Sequence, residues 1–150
     1  MDYKELISSY KTLLDNAPSE ISLLANTSAY IYEVIPNLNW AGFYLFNKKE
    51  LILGPFQGRV ACEVIPLKKG VCGEAAFYNK TIIVDDVLNY ENHIACDANS
   101  RSEIVVPIYV KNELYGVLDV DSPSYNRFDN DLKGFFETIV ALMVSFIDKS

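Results

Sequence analysis

Apolar residues recur at Tyr3, Leu6, Ile7, Tyr10, Leu13 and Leu14, and this spacing of three and four predicts a helix over residues 2–16. Pro18 interrupts the pattern, Ser19 and Glu20 open a second helix running to about Ile35, and Pro36 stops it. The period then drops to two. Residues 40–46 and 51–56 read as strands joined by a polar turn over 47–50, and residues 59–65 read as a third strand that contains Cys62. A turn at 68–70 leads into a short helix over 71–78 and a brief strand over 81–84. Residues 85–102 are polar and have little period. They predict a long functional loop, with a helical turn near His93, that closes over a ligand. Residues 103–110 and 113–121 form a hairpin across Lys111 and Asn112. Asp129 caps a last helix to about Ile147, whose wide apolar face carries Leu132, Phe135, Phe136, Ile139, Val140, Leu142 and Met143. Most strands are joined by hairpins, so the sheet is antiparallel and the class is α+β. The terminal helices carry more apolar surface than one sheet face needs, which predicts pairing with the same helices of a second copy.

Composition narrows this picture. A chain of 150 residues without repeat or linker reads as a single domain over 1–150. At that length folding buries about 68–70% of the chain's surface, so no disulfide or metal is needed to hold a core. The formal net charge is −7. No basic stripe exists, which excludes nucleic acid and disfavours anionic membrane surfaces. No targeting segment precedes the first helix and no apolar run is long enough for a bilayer, so the expected location is the cytoplasm.

That compartment changes the meaning of the cysteines. In reducing surroundings disulfides are rare, and those that form are mostly transient and catalytic. Three cysteines, Cys62, Cys72 and Cys96, also cannot all pair within one chain. Cys72, between Gly70 and Gly73 at a predicted helix start, is placed for thiolate stabilisation by the helix N-terminus. Cys96 lies in a polar loop with His93 and Arg101 in reach to lower its pKa. The bland alternative is that these are small buried core thiols, and it weighs most on Cys62. A zinc site of three cysteines and His93 lacks the close ligand spacing of structural sites, and hydrolysis by a Cys96–His93 pair is a weak signal.

Two further clusters carry candidate chemistry. Strand alternation puts Asp119 and Asp121 on one face, and the hairpin brings Glu103 to the same end. Three carboxylates then converge, suited to an ammonium group or to a shared proton. Against this stands a solvated strand end. Trp40, Gly42 and Tyr44 share another strand face, and the glycine leaves a hollow between two rings that suits a methyl group. The plain alternative there is ordinary sheet core.

Together these residues resemble the free methionine-(R)-sulfoxide reductases, enzymes built on a GAF domain. The resemblance runs through Asn39 to Tyr44, Gln57-Gly58, Ala61-Cys62, Gly70 to Gly73, Asp85 to Val87, His93 to Asp97, Ser100 to Pro107 and Leu118 to Ser122, and it includes the spacing of all three cysteines. It implies a six-stranded antiparallel sheet flanked by helices on both sides, and a homodimer through the terminal helices. It implies reduction of the free amino acid in a closed pocket that no peptide can enter. Cys96 matches the attacking thiol. Trp40 and Tyr44 match the cradle for the methyl group. Glu103, Asp119 and Asp121 match the groups that hold the ammonium and protonate the sulfoxide oxygen. Cys62 and Cys72 are both candidates to close a disulfide with Cys96, and Cys72 competes with Cys96 for the attacking role. Thioredoxin is the expected reductant, and no metal, flavin or nicotinamide is expected. A GAF module that senses a small molecule or redox state without turnover is the alternative, and a dimerisation module a third. The chain is read as freestanding, which favours the enzyme.

Overall fold

The structure, a computed structural model, describes residues 1–149. Helix α1 (Tyr3–Asp15) starts where the Asp2 carboxylate accepts the Glu5 amide, and α2 (Glu20–Val34) where Ser19 accepts the Ser22 amide. Then follow β1 (Trp40–Phe46), β2 (Leu51–Gly58), β3 (Val64–Ile65), α3 (Gly70–Tyr78), β4 (Ile82–Val84), β5 (Ser102–Val110), β6 (Glu113–Ser122) and α4 (Asn130–Asp148). The strands make a six-stranded sheet in the order β3-β2-β1-β6-β5-β4, with every neighbouring pair antiparallel.

Alternation sorts the side chains. Ala41, Phe43, Ile104, Val106, Ile108, Leu118 and Val120 face α1, α2 and α4 and form the larger core. The other face carries Trp40, Tyr44, Val105 and Val117 against Val71, Cys72 and Ala75 of α3. Register aligns this second face in rows: Trp40 opposes Asp121, which opposes Glu103, while Gly42 opposes Asp119, which opposes Val105. Helices therefore cover both faces, and the candidate carboxylates and aromatics lie on the α3 side.

Two expectations are corrected. The third strand shrinks to Val64–Ile65, so Cys62 lies in the connection after β2 and not in a strand. Beyond one backbone bond, from the Leu53 amide to the Glu63 carbonyl at 2.9 Å, that connection is held by side chains: Trp40 Nε1 donates to the Arg59 carbonyl at 3.1 Å, and the Tyr44 hydroxyl donates to the Cys62 carbonyl at 2.9 Å. The helical turn in the long loop falls at Val87–Asn89, where Asp86 caps Leu88, and not near His93.

The terminal helices pack on each other within the chain, with the Tyr3 and Phe135 rings 5.3 Å apart and the Tyr30 hydroxyl of α2 bonded to the Leu6 carbonyl. Leu6, Leu13, Leu142 and Val144 stay half-buried along this pair. Among the described residues no helix is long and apolar enough to cross a membrane.

Candidate functional site

Glu103, Asp119 and Asp121 sit on β5 and β6 beneath α3, at 7%, 6% and 9% exposure. The ion pairs among the described residues join Lys48 to Glu113 and Lys111 to Asp148, so no cation compensates the cluster. Burial, then the neighbouring Asp119 charge, pushes the Glu103 carboxyl well above its ordinary range, and the same two causes in the same order act on Asp121. Asp119 is raised by burial too, but bonds from Glu103, Cys72 and Asp121 oppose the rise. The pattern assigns protons to Glu103 and Asp121 and the first negative charge to Asp119. Oδ1 of Asp119 and Oδ1 of Asp121 have no hydrogen-bond partner. Buried acceptors left open in this way are suited to a ligand that brings donors.

Cys72 is 3% exposed within α3. Its helical position does not make it a thiolate: burial, followed by the charges of Asp119, Glu103 and Asp121, drives its pKa well up. The helix contributes partial positive charge only at its end, whereas three acids lie beside the sulfur. Cys72 is thus a protonated thiol bonded toward Asp119.

Cys62 and Cys96 form a disulfide, with Cα atoms 5.3 Å apart and a sequence separation of 34. It joins the connection after β2 to the long loop. Arg101 and His93 do not activate Cys96. The Arg101 guanidinium donates to the Ala98 and Ser100 carbonyls, and burial lowers the His93 pKa, so the imidazole is neutral. With Cys62 and Cys96 joined, the three cysteines and His93 do not converge as a metal site.

Tyr44, Cys72, Cys96, Glu103 and Asp119 line a small cavity closed by Ile65, Val71 and Ile94. Its volume is about 20 Å³, room for a water-sized group. Ile94 of the loop lies on Gly70, whose φ is +64° and whose missing Cβ would stand 3.1 Å from the Ile94 side chain. The loop is anchored at both ends. Tyr90 and Asn92 donate to the Glu74 carboxylate of α3, and Asn39 donates to Asp97 and Ser100 at 2.9 and 3.0 Å. None of Asn39, Glu74, Asn92 and Ile94 was singled out for a role by sequence reasoning, because each works through a partner 16 or more residues away.

The hollow expected at Gly42 is filled. A Cβ there would stand 2.2 Å from the Cβ of Phe56, and the Phe56 ring stacks on Trp40 at 5.1 Å. Trp40 and Tyr44 still stack, with centroids 5.9 Å apart and planes 22° from parallel, at the floor of the same face.

Comparison with known proteins gives this arrangement a lineage. The GAF domain model matches residues 19–148. The free methionine-R-sulfoxide reductase of Escherichia coli is 46% identical over 141 residues, covering 93% of this chain and 86% of that protein. This chain belongs to the GAF-domain family of free methionine-R-sulfoxide reductases. The reduced form of fRMsr of Staphylococcus aureus superposes with a TM-score of 0.93 at 44% identity, covering 97% of this chain and 95% of that one. The free methionine-R-sulfoxide reductase of Neisseria meningitidis, solved with its substrate, superposes at 0.94 with 36% identity, covering 97% and 88%. Within this GAF domain the α3 face of the sheet carries the candidate site, and the α1, α2 and α4 face carries the larger core.

Proposed function

We propose that this chain reduces free methionine-R-sulfoxide to methionine with its own thiols, as one GAF domain over residues 1–150. The observation that carries the reading is the Cys62–Cys96 disulfide beside three buried carboxylates. A disulfide in this position is the product state of such a reaction.

In the reduced protein the substrate ammonium would lie against Asp119, the member of the cluster that ionises first. The terminal methyl would rest on Trp40 and Tyr44. Glu103 and Asp121 keep their protons because charging them in this buried cluster is costly, so either can protonate the sulfoxide oxygen. Attack by the Cys96 thiolate on the sulfoxide sulfur releases methionine and leaves a Cys96 sulfenic acid. The Cys62 thiol then displaces water from it and forms the disulfide. The sum is two thiols and one sulfoxide giving a disulfide, a thioether and water. Cys72 is not needed as a redox partner: its thiol is buried, protonated and unpaired with either sulfur. It serves as a hydrogen-bond donor to Asp119.

An external dithiol such as thioredoxin would reduce the disulfide, and the cytoplasm is the compartment that supplies one. The half-buried stripe of Leu6, Leu13, Leu142 and Val144 supports a homodimer through the terminal helices. The pocket's closure over a small cavity supports selection of a free amino acid over a peptide.

The test is direct. The protein is incubated with dithiothreitol and each diastereomer of free methionine sulfoxide, and methionine is measured. Methionine from the R form alone is expected. Binding without turnover would replace this reading with a sensing module. In a single turnover without reductant, Cys62→Ser gives one methionine per subunit and Cys96→Ser gives nothing; in the separate assay with dithiothreitol, Cys72→Ser retains catalytic cycling. Methionine from Cys96→Ser would move the attack to another cysteine.

A further inference from the structure

The disulfide form leaves one thiol in the site, and its surroundings suit a cation. The Cys72 sulfur, a Glu103 oxygen and an Asp119 oxygen all lie within 4.8 Å of one another, and all three residues are buried. They line the cavity of about 20 Å³, so an ion in it would meet all three. Asp119 is 94% buried by its 6% exposure, and its Oδ1 has no hydrogen-bond partner. Asp121 Oδ1, one row along the same face, is also open. No lysine or arginine neutralises the group among the described residues.

We infer that this pocket, in the disulfide form, binds a thiophilic divalent cation of the Zn²⁺ class through Cys72, Glu103 and Asp119. Once Cys72 and Glu103 release their protons to the incoming ion, one thiolate and two carboxylates offer it three negative charges where the protein supplies no positive one. Zinc accepts such mixed sulfur and oxygen ligands at about 2.3 and 2.0–2.2 Å, distances reached by small rotations from the present spacing. A soft sulfur ligand selects Zn²⁺ over Mg²⁺ or Ca²⁺, which take oxygen sets. Three protein ligands leave a fourth position for water. No electron moves: the Cys72 thiol and the Glu103 carboxyl each give up a proton to solvent, and the metal takes the place of both. The ion is an occupant of the pocket and not a cofactor. On the reading of the preceding section it holds the carboxylates that the substrate ammonium needs, so a loaded subunit is a blocked one.

The experiment uses the whole protein in its disulfide form, with the Cys62–Cys96 bond verified by peptide mass spectrometry. It is titrated with Co²⁺ alone, without thiol reductant. One equivalent per subunit and a sulfur-to-cobalt absorption band in the near ultraviolet are expected, with Zn²⁺ displacing the cobalt and abolishing the band. Cys72→Ser is expected to lose the band, and Asp119→Asn to weaken binding at least roughly tenfold. If Cys72→Ser does not fold, Glu103→Gln carries the same expectation as Asp119→Asn. Absence of the band in the unsubstituted protein overturns the inference. So does a band that survives Cys72→Ser, or an affinity unchanged by Asp119→Asn. The disulfide form cannot turn over, so this result is independent of whether the reduced chain reduces sulfoxide.

Discussion

Glu103 faces Asp121 directly across β5 and β6, and both carboxyls are kept protonated chiefly by loss of solvent. The sign of the consequence follows from linkage. Below the ordinary glutamate value of 4.5, folded and unfolded chains both carry the proton, and the full stability is present. As pH rises past that value the unfolded chain releases its proton while the folded chain retains it, so stability falls until the raised folded pKa is passed. Glu103→Gln removes this loss. At neutral pH it is expected to stabilise the protein and raise its Tm, by a gain that shrinks as the pH falls toward 4.5. Thermal melts across pH check it: a gain that persists undiminished in acid would contradict the assignment. The same substitution removes a proton donor and is expected to slow turnover roughly 10²–10⁴-fold.

At the scale of elements, the six-stranded sheet is the frame and the loop over 85–101 is a strap. Its holds are the disulfide, the Asn39 bonds to Asp97 and Ser100, and the Glu74 carboxylate that receives Tyr90 and Asn92. Burial and the Glu74 bond raise the Tyr90 pKa to about 12, which keeps its hydroxyl a donor at any working pH. Reducing the disulfide is expected to speed amide exchange over residues 90–98 while β1 and β6 stay protected. Glu74→Ala is expected to speed it in both redox states. Exchange measured by mass spectrometry would refute the strap if the loop amides were indifferent to both changes. Gly42→Ala tests the sheet. Its new methyl meets the Phe56 Cβ and backbone at 2.2 and 2.7 Å, and a cost of about 1–3 kcal/mol or more is expected in chemical denaturation.

The molecule as a whole is closed by one covalent bond between distant loops. With a sequence separation of 34 between the cysteines, loop-closure entropy assigns the bond about 4 kcal/mol, so reduction by dithiothreitol is expected to lower the Tm by roughly 10 °C. A shift below about 2 °C would mean that the reduced loop keeps its place through Glu74 and Asn39. The stripe along α1 and α4 makes a second prediction at this scale. Sedimentation equilibrium at micromolar concentration is expected to give a dimer, and a monomer there would remove the proposed interface.

Much of this was legible in the residues themselves. The three-and-four spacing through Tyr10 and Leu14, the stops at Pro18 and Pro36 and the Asp129 cap are local signals, and they predicted helices that form within one residue of expectation. Alternation with the turn at Lys111 and Asn112 brought Glu103, Asp119 and Asp121 together, because a two-residue connection fixes register. The cysteine spacing carried the family. What alternation could not decide was the fate of residues 59–62, where the Trp40 indole and Tyr44 hydroxyl, from another strand, replace the ladder. Nor could local sequence set the state of Cys72: a helix start argues for a thiolate, and three acids from β5 and β6 reverse it. The chain by itself determined which elements form and which residues hold chemistry, since both depend on near neighbours. Tertiary structure alone decided which cysteines pair, which carboxyls keep protons and what fills the space at Gly42. Those outcomes depend on burial and on distances between residues far apart in the sequence.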